Sequence, residues 1–402
     1  MKLKTLSTAM ILATVPMTGA FAAALDRSGQ SISAFLQPGN YAEAGLSVLD
    51  ADVSGSTVSP LPTQDTGDMA KSYYFPTAAL KLQVNDKFSL GLLYDQPFGA
   101  NAEYKNTAGF TTASGNTNVE VHTQSLSLIF GYQPTENWNF YAGPVYQEVR
   151  GDVELQGAAY GATSFSGYKA KIGRDGDYGW LAGAAYQIPD IALKASLTYR
   201  SEIKHKIKVE ESFTTALGIG FGNPVSGLGD TEITTPQSVN LDLQSGIMEN
   251  TVAFANVRWV NWKDFSIRPY AFDAVSVHPG VVAQTKKPEG FDLVAYSKDQ
   301  WSANVGVGRK FSDKWGANVS VGWDSGAGNP VTTLGPTEGY WNVGIGAQYS
   351  PAPDYFVQAG VKYFWLGDAK AQSGAQFGTD QYVADFEGNH AIGYGLKFGY
   401  KF

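Results

Sequence analysis

"NHAIGYGLKFGYKF", residues 389–402, decides the fold. His390, Ile392, Tyr394, Leu396, Phe398, Tyr400 and Phe402 fall on one face. Ala391, Gly393, Gly395, Lys397, Gly399 and Lys401 fall on the other. Large apolar side chains point one way and small or charged ones the other, the period-two pattern of a strand with two different environments. The pattern recurs upstream. Trp301, Ala303, Val305 and Val307 alternate with small or polar residues, and so do the rows 315–323, 341–349 and 355–365. These apolar rows often begin and end in Trp or Tyr, with aliphatic residues between. A lipid-facing barrel places aromatic girdles at both edges of an apolar band about 25 Å tall. The opposite rows, rich in Gly, Ser, Asn and Lys, suit a wet lumen. The alternative, a secreted soluble sandwich, gives no account of the aromatic ends.

Turns set the topology. Fourteen strands are expected near 41–53, 73–84, 88–96, 119–132, 138–150, 178–187, 191–209, 237–247, 252–272, 298–311, 315–324, 340–349, 355–366 and 390–402. Short turns such as "NDK" (85–87), "PD" (189–190) and "SDK" (312–314) alternate with loops near 54–72, 97–118, 151–177, 210–236, 273–297, 325–339 and 367–389. Short periplasmic turns, long external loops and an even strand count describe a bacterial outer-membrane barrel. Closure removes the edge strands that would otherwise pair with other chains. The fold expected is all-β: a transmembrane antiparallel β-barrel of about 14 strands, multi-pass in the cell outer membrane, with both termini in the periplasm. Phe402, on the lipid-side row, matches the terminal aromatic that assembly machinery reads in barrels of this class.

Residues 1–22 read as a signal peptide: Lys2 and Lys4, a short apolar run, then Ala20-Phe21-Ala22 as the cleavage site. The alternative is a retained anchor. Residues 23–39, "AALDRSGQSISAFLQPG", lack sustained alternation yet carry Leu25, Ile32, Phe35 and Leu36. Fourteen strands enclose more than side chains alone fill, so this segment is expected as a plug or hatch; the alternative is a free periplasmic tail. Residues 40–402 form the barrel. The chain has no cysteine, four scattered histidines and a net charge of −8, or −10 without Lys2 and Lys4. Disulfides and thiolate metal sites are excluded. No metal or cofactor is expected, and the charge argues against nucleic acid as a partner.

The third strand ends unusually, in "LGLLYDQPFGANAEY" (90–104). Pro97 cannot donate to a ladder and disfavours a helical conformation at Gln96. Gly99 permits backbone angles closed to other residues. On the seventh strand, Arg200, Glu202 and Lys204 share the lumen-side row, and Arg150 closes the fifth strand. A cation in an apolar slot suits an amphiphilic carboxylate, so Arg150, Arg200 and Lys204 are candidate substrate-binding residues, with Phe35, Leu36 and Phe98 as apolar members. The alternative is a salt-bridge ladder through Glu202. The run "KHKIK" (204–208) is a further candidate for lipopolysaccharide phosphates at the rim.

Several stretches resemble the outer-membrane long-chain fatty acid and hydrophobic compound transporters of the FadL/TodX type. These are "TYRSEIKHKIK" (198–208), "TTPQSVNLDLQSGI" (234–247) followed by "RWVNWKDFSI" (258–267), "YDQPFG" (94–99) and the terminal "GLKFGYKF". The resemblance implies a fourteen-stranded barrel with an N-terminal hatch that moves long-chain fatty acids or other hydrophobic small molecules across the outer membrane. It also implies a lateral opening beside the third strand, here at Gln96, Pro97, Phe98 and Gly99; the alternative is that Pro97 simply ends the strand. One departure is that family hatches are longer and carry an Asn-Pro-Ala signature, where this chain has "NYAEAGLSVLD" (40–50). Two rival functions fit the sequence less well. An outer-membrane lipase needs a nucleophile and base in reach, and no G-x-S-x-G occurs; His122 and Ser125 fall on opposite rows. A general porin needs a clear aqueous channel, against which the apolar hatch argues.

Overall fold

Fourteen strands close into one antiparallel barrel in the computed structural model, which describes residues 25–105, 107–161, 165–213 and 226–402. The signal-peptide reading of residues 1–22 lies outside the described residues. In chain order the strands are β1 (Tyr41–Asp52), β2 (Tyr73–Gln83), β3 (Phe88–Asp95 and Gly99–Glu103), β4 (Asn118–Tyr132), β5 (Trp138–Leu155), β6 (Tyr168–Ile188) and β7 (Leu193–Arg200 and Ile203–Phe213). They continue as β8 (Ser226–Thr235 and Ser238–Met248), β9 (Thr251–Val260), β10 (Gln300–Lys310), β11 (Trp315–Asp324), β12 (Tyr340–Ala352), β13 (Tyr355–Leu366) and β14 (His390–Lys401). β1 closes on β14, in register from Tyr41 opposite Lys401 to Asp52 opposite His390.

The aromatic ends line up across strands. Trp323 stands opposite Trp341, and Trp341 opposite Trp365, near the end with the long loops. Toward the turn end, Trp315 packs on Tyr349 and Phe88 on Tyr132, with ring centroids 4.6 and 5.3 Å apart. Trp323 lies eight positions after Trp315, about 27 Å of extended chain, enough for a tilted strand to cross an apolar band. Phe402 faces outward and is 53% exposed.

Several strands run further than the alternation predicts: β3 continues to Glu103, β8 begins at Ser226, and β5 and β6 extend at their loop-side ends, while β9 is shorter. β5 runs on to Leu155 and β6 starts at Tyr168, because Val149, Val153, Leu155, Tyr168, Ala170 and Ile172 continue the buried row beyond the girdle. Arg150 therefore does not close the fifth strand. β9 stops at Val260. There the chain turns inward to bury Trp262, whose N–H donates to Val260 O, and Phe265 N–H donates to Trp262 O. The strand expected to run on to 272 thus ends early, and helices α1 (Tyr270–Ser276) and α2 (Pro279–Thr285) follow, the second within the expected loop. The Glu211 carboxylate accepts from Ala271 and Phe272 N–H at the start of α1, which compensates donors a helix start leaves open.

Three strands are interrupted. β7 and β8 break opposite one another, at residues 201–202 and 236–237. Arg200 and Ile203 both face inward although three positions apart, so the parity reverses across the break: Ile203, His205 and Ile207 face inward and Lys204, Lys206 and Lys208 outward. β3 breaks at residues 96–98. The long loops fold over that end of the barrel around Phe98, Phe110, Trp262, Phe272 and Leu293, all buried.

Candidate functional site

The break in β3 is one-sided. On the β4 side the strand stays attached: Phe98 N–H donates to Thr123 Oγ1 (2.8 Å), and pairing resumes with Gly99 opposite His122. On the β2 side the ladder runs from Gln83 opposite Ser89 to Ala78 opposite Tyr94 and stops. Residues 73–77 of β2 still pair with β1, but face no ladder partner on β3. An extra residue on β3, between Asp95 opposite Ser125 and Gly99 opposite His122, makes the bulge that turns the strand away. Pro97 sits at its centre, where no ladder donor is needed.

The N-terminal segment fills the inner side of this gap. Residues 25–27 pair with the broken strand: Arg27 N–H donates to Pro97 O (2.7 Å) and Gly99 N–H to Leu25 O (2.8 Å). The Arg27 guanidinium lies over the Tyr73 ring of β2, 3.8 Å from its centroid. A Cβ on Gly99 would overlap that guanidinium, so glycine is needed for the close approach. Further along, Phe35 is fully buried among Ile129, Tyr141, Val145 and Leu181. Its ring occupies space that a Cβ on Gly91 or Gly131 would take. Lys194 Nζ donates to Leu36 O (2.8 Å) and Lys81 Nζ to Gln37 O (2.5 Å), tying the end of the segment to the wall.

A polar layer crosses the barrel beneath the break. Arg258 of β9 pairs with Asp26 (Nε–Oδ2 2.7 Å) and donates to Asn240 Oδ1 and Gln30 Oε1 at 2.7 and 3.0 Å. Ser28 Oγ donates to Asp95 Oδ2 (2.8 Å), and Asn256 Nδ2 to Asp242 Oδ1 (2.7 Å). Arg200 is buried in the same layer, and its Nη1 has no hydrogen-bond partner among the described residues. Buried charges are tolerable when paired and hydrogen-bonded in this way.

Cavities flank this layer. The one toward the turns, about 230 Å³, is mixed: Lys194, Arg200, Asp242 and Lys397 stand in its wall beside Ile32, Leu36 and Leu243. The one toward the loops, about 40 Å³, is apolar: Leu25, Val121, Val153, Ile172 and Leu293 line it, and it reaches Tyr73, Gly99 and Ala100 at the gap. No Asp, Glu, Lys or Arg lines it among the described residues. Burial pushes the phenol of Tyr296, also in its wall, well above its ordinary range, so this group stays neutral.

The structure separates the residues singled out from sequence. Gln96, Pro97, Phe98 and Gly99 form the break. Phe98 points into the loop core, edge-on to Trp262 at 5.5 Å. Phe35 and Leu36 are buried inside the barrel, and Arg200 lines the larger, mixed cavity. Arg150 and Lys204 do not join them: both face outward, Arg150 opposite His122 and Lys204 within 4.0 Å of Glu232. His122 also faces outward, against Glu120 at 2.6 Å, while Ser125 is buried. Sequence reasoning missed Asp26, Arg27, Tyr73 and Arg258. The available signal was the pair of charges in "LDRSGQ" within an otherwise uncharged segment, and Arg258 as the one cation of "TVAFANVRWV".

Comparison with known proteins agrees with this geometry. A family model described as outer membrane protein transport protein (OMPP1/FadL/TodX) matches residues 23–402. Long-chain fatty acid transport proteins of Salmonella typhi and of Escherichia coli (strain K12) are each 24% identical, over 387 and 400 residues, covering 89% of this chain and 84% of theirs. A Pseudomonas aeruginosa FadL homologue superposes with a TM-score of 0.71 at 16% identity, covering 98% of this chain and 100% of its own. The P. putida toluene transporter TodX does so at 0.61 and 15%, covering 92% and 91%. At these identities the structural matches establish a shared fold.

Proposed function

Because the chain belongs to the outer membrane protein transport family of the OMPP1/FadL/TodX type, we propose that it is a passive channel for hydrophobic compounds whose exit is sideways, through the gap beside β3. One observation carries the lateral route. The apolar cavity reaches Tyr73, Gly99 and Ala100 at the unpaired edge of β2, while Arg258, Asp26, Arg200, Asp95 and Asp242 bar the way along the axis. An apolar solute gains nothing among those charges and would have to displace their hydrogen bonds. Through the wall it stays out of water, which preserves about 0.8 kcal/mol per CH₂. Unpaired backbone at membrane depth is tolerable where it borders protein or a cavity, and residues 25–27 provide that border from inside.

The relatives are named for long-chain fatty acids and for toluene. A long-chain fatty acid or another hydrophobic small molecule is the substrate proposed here. The short turns and both termini lie in the periplasm and the long loops outside, so the solute meets the aromatic loop core first. Residues 23–39 act as the hatch. Phe402 is the recognition point for the assembly machinery. Lys204, Lys206 and Lys208, outward on the loop-side half of β7, meet lipopolysaccharide phosphates. Uptake of a radiolabelled fatty acid and of toluene by cells with and without the protein tests the function, and Ala100→Phe tests the route. Ala100 is 8% exposed in the cavity wall at the gap, so a phenyl ring there fills the passage. The expected result is chain-dependent uptake that A100F abolishes at equal surface level. Undiminished uptake in A100F refutes the route, and no chain-dependent uptake refutes the function.

A further inference from the structure

We propose that Leu334, in the loop between β11 and β12, is the outer gate of the transport path and sets the width of the solute admitted. This rests on the transport function proposed above and adds where the solute enters and what selects it; it does not depend on the exit beside β3. Residues 325–339 join two strands at the external end, yet Asn329 alone among them is exposed. A simple connection runs over the surface, whereas this loop is inserted into the barrel mouth. Val331 and Thr332 pair in parallel with Ala371 and Gln372 of the loop between β13 and β14. Thr332, Leu334, Gly335 and Thr337 form one side of the apolar cavity.

Thr333 anchors the inserted stretch. Its N–H donates to Gln372 O (2.9 Å), its carbonyl accepts from Tyr104 OH (2.6 Å), and its Oγ1 hydrogen-bonds Tyr160 OH (2.7 Å). Every polar group of this buried residue is thus satisfied, from three different loops. The next residue, Leu334, is 5% exposed and has empty space on both sides. Inward lies the apolar cavity. Outward, within the loop layer, lies a cavity of about 10 Å³ with Tyr160, Phe165, Phe272, Phe291 and Gly374 in its wall. Leu334 and Leu293 are the two residues, among those described, that line both cavities. Leu293 is the fixed side of this constriction: its N–H donates to Ile267 O (2.9 Å), and Val294 beside it pairs with Ile267. A side chain packed on all sides has no room to turn. Leu334 has that room, while Thr333 keeps the backbone in place. Rotation of this one side chain joins the two cavities and breaks no hydrogen bond. No Asp, Glu, Lys or Arg lines either cavity among the described residues, so a hydrated solute would shed its water with nothing to replace it. An apolar solute takes over the contacts that Leu334 gives up.

The experiment uses the full-length protein in cells, with surface level and a heat-modifiable gel shift as controls. Uptake of radiolabelled oleate, toluene and the wider naphthalene is compared in the native protein, L334A, L334M and L334W. L334A is expected to raise uptake of naphthalene, relative to the better of the two narrower probes, at least fivefold. L334W, too large to turn between the cavities, is expected to lower uptake of every transported probe at least tenfold. L334M, similar in volume and flexible, should keep native rates. A residue that only packs the loop would lower uptake in L334A and leave the ratio unchanged. Single-channel conductance of L334A should stay native, because the charged layer beneath is untouched. An unchanged ratio in L334A, native uptake in L334W, or raised conductance in L334A overturns the gate and leaves the transport function standing. Should L334W not reach the surface, the L334A ratio decides alone. If the native protein takes up none of the three probes, the transport function itself fails.

Discussion

Replacing Phe35 by alanine should loosen the N-terminal segment without disturbing the barrel. The native ring is fully buried, edge-on to Tyr141 at a centroid distance of 5.7 Å, in a seat backed by Ile129, Val145 and Leu181. Removing a buried phenyl group costs about 3–5 kcal/mol, the larger values arising where the site cannot collapse. This seat is made of barrel strands held by their ladders, so it cannot close. The lower end of that range, about 3 kcal/mol, is the least the change costs. The segment contributes no strand to the barrel, so this loss falls on its own local opening. At about 1.4 kcal/mol per decade, the open population rises about a hundredfold. Hydrogen exchange with mass spectrometry reads this directly. The N–H of Phe35, bonded to Ile32 O, of Gln37, bonded to Ala34 O, and of Arg27, bonded to Pro97 O, should exchange about a hundredfold faster. Ladder amides between β9 and β10 should keep their native rates. Native exchange over residues 25–39 in F35A would refute the reasoning, and so would a parallel rise across the whole barrel.

Other outcomes follow from the same geometry. Deleting residues 25–39 should raise single-channel conductance in planar bilayers; unchanged conductance would mean that the segment does not obstruct the lumen. Circular dichroism of the detergent-solubilised protein should be dominated by β-structure, and a mainly helical spectrum would sink the fold. Glu338, in the loop between β11 and β12, gives a pH test. Burial raises its carboxyl to about 7, against the opposing pull of the Gly328 and Ala327 N–H groups and Lys298. Neutral in the packed loop and ionised when the loop opens, it stabilises packing fully below its ordinary value of 4.5, and this contribution is lost as pH rises through 7. Hydrogen exchange over 325–339, corrected for its intrinsic pH dependence, should therefore show more protection at pH 5 than at pH 8, and E338Q should remove the difference.

The barrel was legible because lipid on one side and water on the other impose a period of two, which composition cannot hide. Trp315 and Trp323 even marked the two edges of one strand. Legibility ended where the period slipped. The breaks at 96–98 and 201–202 each offset the alternation by one residue and reverse inside and outside, so Lys204 reads as a neighbour of Arg200 but lies on the opposite face. A uniform alternation rule carries a parity across such a break, since local sequence states the bulge only weakly. "NWKDF" reads as strand because Trp262 and Phe265 are apolar; their burial in the loop core depends on partners distant in sequence, Phe98 and Tyr296. The lumen site was the least legible. Arg258 meets Asp26 across 232 residues, and no local pattern reports a pairing of that kind. Pro97 and Gly99 did mark their own place, since few strands can use a missing donor and a missing Cβ within three residues.

The central claim is that an apolar solute leaves through the wall beside β3, and straightening that strand tests it most directly. Pro97→Val restores a ladder donor, and Gly99→Ala puts a Cβ where the Arg27 guanidinium now lies. Together they favour a continuous third strand paired to β2 and displace residues 25–27. The measurement is uptake of a radiolabelled hydrophobic substrate by cells carrying the double variant, with surface level and a crystal structure of the variant as controls. The account predicts uptake reduced at least tenfold at unchanged surface level once residues 73–77 pair with β3. Uptake at the native rate through a barrel whose third strand has been shown to be continuous would contradict it.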